Sequence, residues 1–591
     1  MPRGTRGARG VLLALLAAGI AVYFVSLGNS AIWDANEAFY VETPREMLEA
    51  HDLVNPSFNY RPRFNKPVLS YWMVAGLYKL FGVSVAVQRV GIASGAMIIV
   101  ACAYVLAGIG DRRSWTAGRG PGIRDPGSGI RDQGSRIRDQ GLAIEDPRSG
   151  IHDRGLRIQP LAGLFASAGL AAAPRVVMFA RRIFIDVWLT AFTSLTLTFF
   201  ALSETRPERR RLYLTLMYVS AGFGVLTKGP VAILLPALAF GGYLAVTRQF
   251  RRVTEMMIPL GAVIIAVIVV PWYAALHHQH GWKYIESFFV SENIERFTEG
   301  VGVLQRRGPL FYLPVVFSDS FPWSIFLPAA AVAAWRRPAR LETLLWCWIV
   351  AIVGFFSLSA GKQDLYIFPI VPAVAALGGL SIERGLADDR WRPWLTRTLA
   401  VSGVLFAVAG GIVLFLFDAT GRVYTLRGAF AIAVAGLAGG VLVCGLALAR
   451  RPAAAAMTLL AATIAANWIF VLRVLPDFER YKPVPFFSRT LESRLKPGDA
   501  VAEYQVALPS LVFYLKRHVD QYFDPDPFVS AMQAPRHVYA TISAADYQTL
   551  APRLAPHTCI VDHRPTFDVK LGRVLAREPL PELLLITNDC R

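Results

Sequence analysis

Between Val11 and Val474 the chain returns again and again to apolar stretches of roughly 20 residues, the length that crosses a bilayer. Inside hydrocarbon every backbone N–H and C=O must be paired within the segment, so a continuous apolar stretch of this length reads as a transmembrane helix. The runs lie at 11–28, 88–109, 160–175, 186–203, 212–227, 230–246, 256–276, 309–334, 342–359, 365–381, 396–417, 428–449 and 453–474. They predict an α-helical polytopic membrane protein with about thirteen transmembrane helices. Composition agrees, since 54% of residues are hydrophobic and 17% charged, against about a quarter charged in soluble domains. The first run follows Arg3, Arg6 and Arg9, as in a signal peptide, but no small-residue cleavage site closes it. It reads as an uncleaved span.

The net charge of +19 sits between the spans: Arg112 and Arg113, Arg206 with Arg209 to Arg211, Arg248 with Arg251 and Arg252, Arg336 with Arg337 and Arg340, and Arg450 with Arg451. Clusters in every second loop are the positive-inside pattern, which sets the N-terminus in the cytoplasm and the C-terminus outside. Membrane lipid is therefore an expected partner. Nucleic acid is not, because no basic patch is interleaved with stacking aromatics.

The expected organisation is a transmembrane domain over 1–475, with a long first outer loop at 28–87, and an outer domain over 476–591. From Gly122 a seven-residue unit repeats as GIRDPGS, GIRDQGS, RIRDQGL, AIEDPRS and GIHDRGL. Gly or Pro in each copy and few large apolar residues predict a disordered cytoplasmic insertion over 115–159. The tail alternates strand-like runs (DAVAEYQ, HVYATIS, HTCIVDH, ELLLITND) with helical ones at Pro483 to Leu495 and Leu508 to Arg517. It reads as a small α/β domain of about 110 residues. Cys559 and Cys590 fall in this oxidising compartment, where a disulfide between them is plausible. Cys102, Cys347 and Cys444 lie in apolar runs and read as packing residues.

Chemistry-bearing side chains collect at the outer ends of the spans. In the first outer loop Asp34 and Glu37 sit at the membrane edge among Trp33, Phe39 and Tyr40. Carboxylates there need a partner or a task. Glu42, Glu46 and Glu49 have the spacing of a solvated helix face. Arg61, Arg63 and Lys66, in RPRFNKPVLSYW, can hold a lipid phosphate, although interfacial anchoring explains this loop taken alone. Farther along come Asp186 in ARRIFIDVWLTAF, Lys228 in LTKGPV, Glu292 with Asn293 and Arg296 in FFVSENIERF, and Lys362, Asp364 and Tyr366 in SAGKQDLYIFPIVP. Singly, a helix cap accounts for Asp186 and snorkelling for the lysines. Together, five segments bring carboxylates and cations to one side of the bilayer.

The ordered set NEAFYVETPREML, FNKPVLSYW, ARRIFID, LTKGP, PWY at Pro271 to Tyr273, FFVSENIERF and KQDLYIFPIVP resembles the GT-C membrane glycosyltransferases. Within them it is similar to the superfamily of dolichyl-phosphate-mannose-protein mannosyltransferases and aminoarabinose (lipid A) transferases. The resemblance runs to about Pro372, and the tail matches the family's variable outer domain in position alone. It implies a GT-C-type transmembrane catalytic domain with amphipathic helices in the first outer loop, in a bacterial inner membrane. The implied activity is inverting transfer of a hexose or pentose from a polyprenyl-phosphate donor. The implied acceptor is a lipid A-like glycolipid, a protein or another cell-envelope glycan on the extracytoplasmic face.

The resemblance also assigns residues. The family's acidic pair carries its base at the first position, which here is Asn36, followed by Glu37. An amide cannot take a proton at neutral pH, so the role falls to Asp34, two residues earlier, or to Glu37. Asp186 matches the family's second functional aspartate, Lys66 its phosphate-binding lysine, and Tyr366 a tyrosine lining the donor cavity. Arg61, Arg63, Lys228 and Lys362 join the expected phosphate-binding set. Asn36, Tyr40, Arg45, Glu292 and Arg296 join the expected lining. Members that hold a metal use histidines beside the FF-x-x-E-x segment. Here Ser291 and Asn293 flank Glu292 and the nearest histidines are His277, His278 and His280, so no metal and no cofactor is assigned.

The expected reaction is attack by an acceptor hydroxyl on the anomeric carbon. Lys66 and Arg63 would stabilise charge on the leaving phosphate, and Asp34, oriented by Glu37 or Asp186, would take the acceptor proton. A single displacement inverts the anomeric centre, unlike the covalent route of retaining glycosidases. Three other readings remain at this point. A transporter or flippase of lipid-linked sugars would gather its charges at the midplane of repeated halves. A surface-polysaccharide polymerase or ligase would share the donor. A catalytically altered homologue would explain Asn36.

Overall fold

The computed structural model describes residues 3–34, 36–109, 160–299, 307–336, 338–418, 426–567 and 571–590. The predicted repeat insertion at 115–159 lies outside the described residues. Helix α1 (Arg3–Phe24) leads into the long first loop, which carries α2 (Glu37–Glu49), a two-stranded ribbon of β1 (Ser57–Phe58) and β2 (Arg61–Pro62), and α3 (Leu69–Phe81). Helix α4 (Val85–Gly108) returns through the membrane, its start capped by Ser84, whose hydroxyl accepts from the Val87 amide at 3.2 Å.

Next come α5 (Pro160–Ala172), α6 (Pro174–Arg182), α7 (Phe184–Thr205), α8 (Arg210–Lys228), α9 (Val231–Val246), α10 (Ile258–His280) and α11 (Lys283–Phe289). Among the described residues nine helices are long and apolar enough to cross a membrane, and two bent pairs raise this to eleven. Helix α9 is a shorter apolar helix of 16 residues. The fold is the α-helical polytopic membrane architecture that the apolar runs predict.

Two predicted straight crossings are bent. The run at 160–175 breaks by 62° between α5 and α6, where Pro174 starts the new helix. The run at 309–334 turns by 110° between Pro309–Asp319 and Trp323–Arg336. Hydropathy reads how apolar a stretch is and carries no information on its direction, which explains both differences.

Two apolar clusters fill the bundle, one around Tyr23, Tyr71, Phe179 and Trp323, the other around Phe200, Phe240 and Trp348. Val263, Val267, Val404 and Val441 are exposed, as lipid-facing side chains are.

The C-terminal domain holds a five-stranded sheet in the order β4-β3-β5-β7-β6, with β3 (Ala500–Tyr504), β4 (Asp520–Tyr522), β5 (Val538–Ser543), β6 (Cys559–Pro565) and β7 (Glu582–Thr587). Strand β3 is parallel to β4 and β5, and β7 is antiparallel to β5 and β6. Four strands fall on the runs read from sequence; β4 is three residues long and carried no such signal. Phe528, Ile542 and Ile586 pack one face, Phe487, Leu511 and Leu585 the other. Cys559 and Cys590 are joined as a disulfide.

This domain grips the long first loop. The Asn59 side chain donates to the Val519 carbonyl at 2.8 Å and accepts from the Val519 amide at 2.9 Å. Tyr60 donates to the Lys516 carbonyl, Tyr514 accepts from the Ile32 amide, and Glu479 accepts from the Ala31 amide at 2.7 Å.

Candidate functional site

Lys66 and Glu292, 226 positions apart, meet at 2.8 Å. Several contacts bring their segments together. Phe64 stacks on Tyr284 of α11 with ring centres 3.8 Å apart, and Asn55 bonds His280 at the end of α10. The LTKGP turn supplies the third side. Gly229 has φ +91°, and a Cβ there would lie 2.7 Å from the Phe288 ring, so only glycine lets α11 close on the end of α8. After α11 the backbone widens into one π-helical turn, Val290–Glu295, which carries Glu292. Such turns recur at functional sites because the extra residue re-aims side chains.

Glu292 accepts from Lys66, from Arg296 at 2.7 Å and from the Asn65 amide at 3.4 Å. Burial opposes its charge, but Lys66, Arg296 and Arg63 outweigh burial and hold the carboxyl below its usual range. For Lys66 burial wins: its ammonium is pushed down to about 8 against the pull of Glu292, with Arg296 and Lys228 adding repulsion.

Alongside, Asp186 in the first turn of α7 pairs with Lys228 at the end of α8. The cap expected of Asp186 is not what is found, since Ile183 occupies that position. Lys228 also faces the Tyr366 ring at 5.5 Å. Tyr40 stacks on Tyr71 and on Phe184, while Arg63 lies over Phe39 at 4.0 Å and donates to the Tyr71 hydroxyl at 3.2 Å. One cluster thus gathers Arg63, Lys66, Asp186, Lys228, Glu292 and Arg296, with Tyr40, Tyr71 and Tyr366 beside it.

Other expected residues lie apart. Asp34 accepts from the Ser510 amide of the C-terminal domain at 2.9 Å. Its carboxyl is raised by burial, against the bonds from Ser510 and the charge of Lys482. Glu37 is fully buried and paired with Arg89. Asn36 precedes α2 without a side-chain bond to the helix. Arg45 is held by Glu42 and Glu49, both at 2.6 Å, and by Tyr60. Arg61 is exposed in β2. Lys362 is buried and donates to the Ser359 carbonyl. Among the described residues no three His, Cys, Asp or Glu side chains converge as a metal would require, so no step is assigned to one.

Sequence reasoning missed Arg89, Tyr71 and the pairing of Arg175 with Asp319 and with the already noted Asp364. Arg89 could have been found as an ionisable residue inside an apolar run. The other two arise from folding alone.

Two ArnT structures of Cupriavidus metallidurans share this architecture. The apo form aligns over 98% of both chains at TM-score 0.73 and 21% identity, and the form bound to undecaprenyl phosphate over 98% of both at 0.74 and 22%. The chain therefore shares the fold of these two structures, and its long apolar helices make it a multi-pass membrane protein. Residues 156–274 match the family described as dolichyl-phosphate-mannose-protein mannosyltransferase. An undecaprenyl phosphate-alpha-4-amino-4-deoxy-L-arabinose arabinosyl transferase of Pseudomonas fluorescens (strain Pf0-1) is 28% identical over 440 residues, 73% of this chain and 68% of its own length. One from Pseudomonas aeruginosa (strain LESB58) is 31% identical over 382 residues, 63% of this chain and 59% of its own. Over these segments the chain is similar to the protein mannosyltransferases and aminoarabinose transferases.

Proposed function

We propose that this enzyme moves an aminopentose of the 4-amino-4-deoxyarabinose class from undecaprenyl phosphate to a lipid A-type glycolipid. The reaction would occur at the periplasmic face, with the N-terminus cytoplasmic and residues 476–591 outside. The observation that carries this reading is the cluster in which Lys66, Lys228 and Arg296 stand beside Asp186 and Glu292. It is supported by the fold shared with an enzyme bound to undecaprenyl phosphate.

In the reaction the acceptor oxygen forms a bond to the anomeric carbon as the bond from that carbon to the phosphate oxygen breaks. The electron pair leaves on the phosphate, where Lys66, Arg63 and Arg296 stabilise it. The acceptor proton passes to a carboxylate. Of Asp34, Glu37 and Asp186, we assign this to Asp186, because it shares the cluster with those cations while the other two are engaged elsewhere. Lys228 would orient Asp186 through their ion pair. Tyr40 and Tyr366 would wall the sugar.

The test is transfer from radiolabelled polyprenyl-phosphate sugars to membrane glycolipid by purified protein in lipid. Asp186→Asn is expected to lose about a hundred- to ten-thousandfold in rate, and Asp34→Asn far less. Loss confined to Asp34→Asn would return the base to the first loop. A protein that consumes no donor from a broad panel, yet moves lipid-linked sugar across vesicles, would be a transporter.

A further inference from the structure

Three donors of the cluster, Lys66 Nζ, Arg296 Nη1 and Asn65 Nδ2, converge on one acceptor, and that acceptor is the protein's own Glu292. A phosphate would need the same donors. We propose that Glu292 is an internal competitor for the donor's phosphate: it fills the cation cradle when the site is empty, yields to the lipid phosphate on binding, and retakes the cradle to expel the polyprenyl-phosphate product. The inference rests on the transferase reading above and adds to it a residue that sets product release.

The physical need for such a group follows from charge. The donor is a phosphodiester with one negative charge. The product is a monoester carrying about −1.5 to −2 near neutral pH. A cradle of fixed cations that only attracts phosphate binds the product more tightly than the donor and stalls turnover. A carboxylate on the same donors cuts the affinity for both by the fraction of time that it occupies them. Its seat in a π-helical turn suits the motion, because the widened backbone can swing the side chain without unwinding a regular helix. The neighbouring groups that tune this exchange are Arg63, Lys228, Asp186, Tyr40, Tyr71 and Tyr366.

The experiment measures undecaprenyl phosphate binding to the full chain in lipid nanodiscs, for wild type, Glu292→Gln and Glu292→Asp. Near pH 6, where Lys66 keeps its proton, Glu292→Gln is expected to bind about tenfold more tightly, as for a cradle otherwise free one-tenth of the time. Its turnover is expected to fall, with inhibition by added product correspondingly stronger. Glu292→Asp keeps the competing charge and is expected to stay within about threefold of wild type. Above pH 8 the gain in Glu292→Gln should vanish, since Lys66 without its carboxylate loses its proton more readily. Binding in Glu292→Gln that is unchanged or weaker near pH 6 would overturn the proposal and make Glu292 an anchor for Lys66. Wild type that binds no undecaprenyl phosphate would remove the transferase reading itself, and this inference with it.

Discussion

Arg89 and Glu37 form a fully buried, two-pronged ion pair, Nε to Oε1 at 2.5 Å and Nη2 to Oε2 at 3.0 Å. The remaining guanidinium hydrogens go to the carbonyls of Leu27, Ser30 and Ala31 and to the Ser30 hydroxyl. Glu37 also accepts from the Trp33 amide at 2.9 Å. One side chain in the second span therefore fixes the exit from the first span, the chain beyond it and the first turn of α2.

Breaking such a pair from one side leaves a buried charge alone, which typically costs about 3–5 kcal/mol. Glu37→Gln and Arg89→Met are each expected to lower the thermal midpoint in detergent and to lose activity with it. The double variant Glu37→Gln with Arg89→Met is expected to recover part of that midpoint, because both charges leave together. Thermal unfolding followed by intrinsic fluorescence reads this directly. Glu37→Gln with an unchanged midpoint and no transfer would instead give Glu37 a part in the chemistry.

Lys66 must be charged to hold a phosphate, and burial has brought it to about 8. A lysine is cationic below its pKa, so kcat/KM for the donor, which reports the free enzyme, is expected to fall as pH rises through about 8. Lys66→Arg keeps its charge throughout this range and is expected to move that fall beyond about pH 10 at reduced rate. Lys66→Met is expected to lose about a hundredfold or more at every pH. A wild-type profile flat to pH 10 would mean that the phosphate does not rely on Lys66.

The membrane architecture was legible because hydrocarbon admits so few backbone solutions, and the C-terminal strands because of their apolar runs. The residues of the cluster were legible one by one, as charges at span ends where solvation is poor. Their grouping was not. Lys66 meets Glu292 through the stacking of Phe64 on Tyr284, the Asn55–His280 bond and the glycine at 229, long-range contacts that no local pattern encodes. The same limit hid the difference between Asp34, which faces Ser510, and Asp186, which faces Lys228. Both are carboxylates at a membrane edge, and only folding separates them.

Glu46 is buried beneath the loop and accepts from Ser57 at 2.7 Å and from the Tyr60 amide. Burial lifts its carboxyl to about 7, against those bonds and with the Glu42 charge adding to the rise. A raised folded pKa means that the folded state binds the proton more tightly than the unfolded one. Stability from this group is therefore greatest at low pH and falls as pH climbs from about 4.5 to about 7. Glu46→Gln, neutral at all pH, is expected to flatten that slope in thermal midpoints measured between pH 5 and 8. A slope unchanged by the substitution would assign the dependence to other groups.

The C-terminal domain holds the first loop, which carries Lys66, and Asn59 makes one of these holds. Its side-chain amide makes a two-way bond with the Val519 backbone, while His518 contacts the Asn59 carbonyl at 3.0 Å. Asn59→Ala leaves a buried N–H and C=O unpaired, typically about 1–3 kcal/mol each. The expected result is faster hydrogen exchange at 57–62 and 518–520, with the strands at 538–543 and 582–587 as protected as before. Lys66 follows four residues after Pro62, so the loosened loop is expected to raise the donor KM more than it lowers kcat. Asn59→Asp keeps the acceptor for the Val519 amide and is expected to fall between wild type and Asn59→Ala in both measurements. Exchange that rises across the whole C-terminal domain would show instead that Asn59 supports that domain's folding, with no separate hold on the loop.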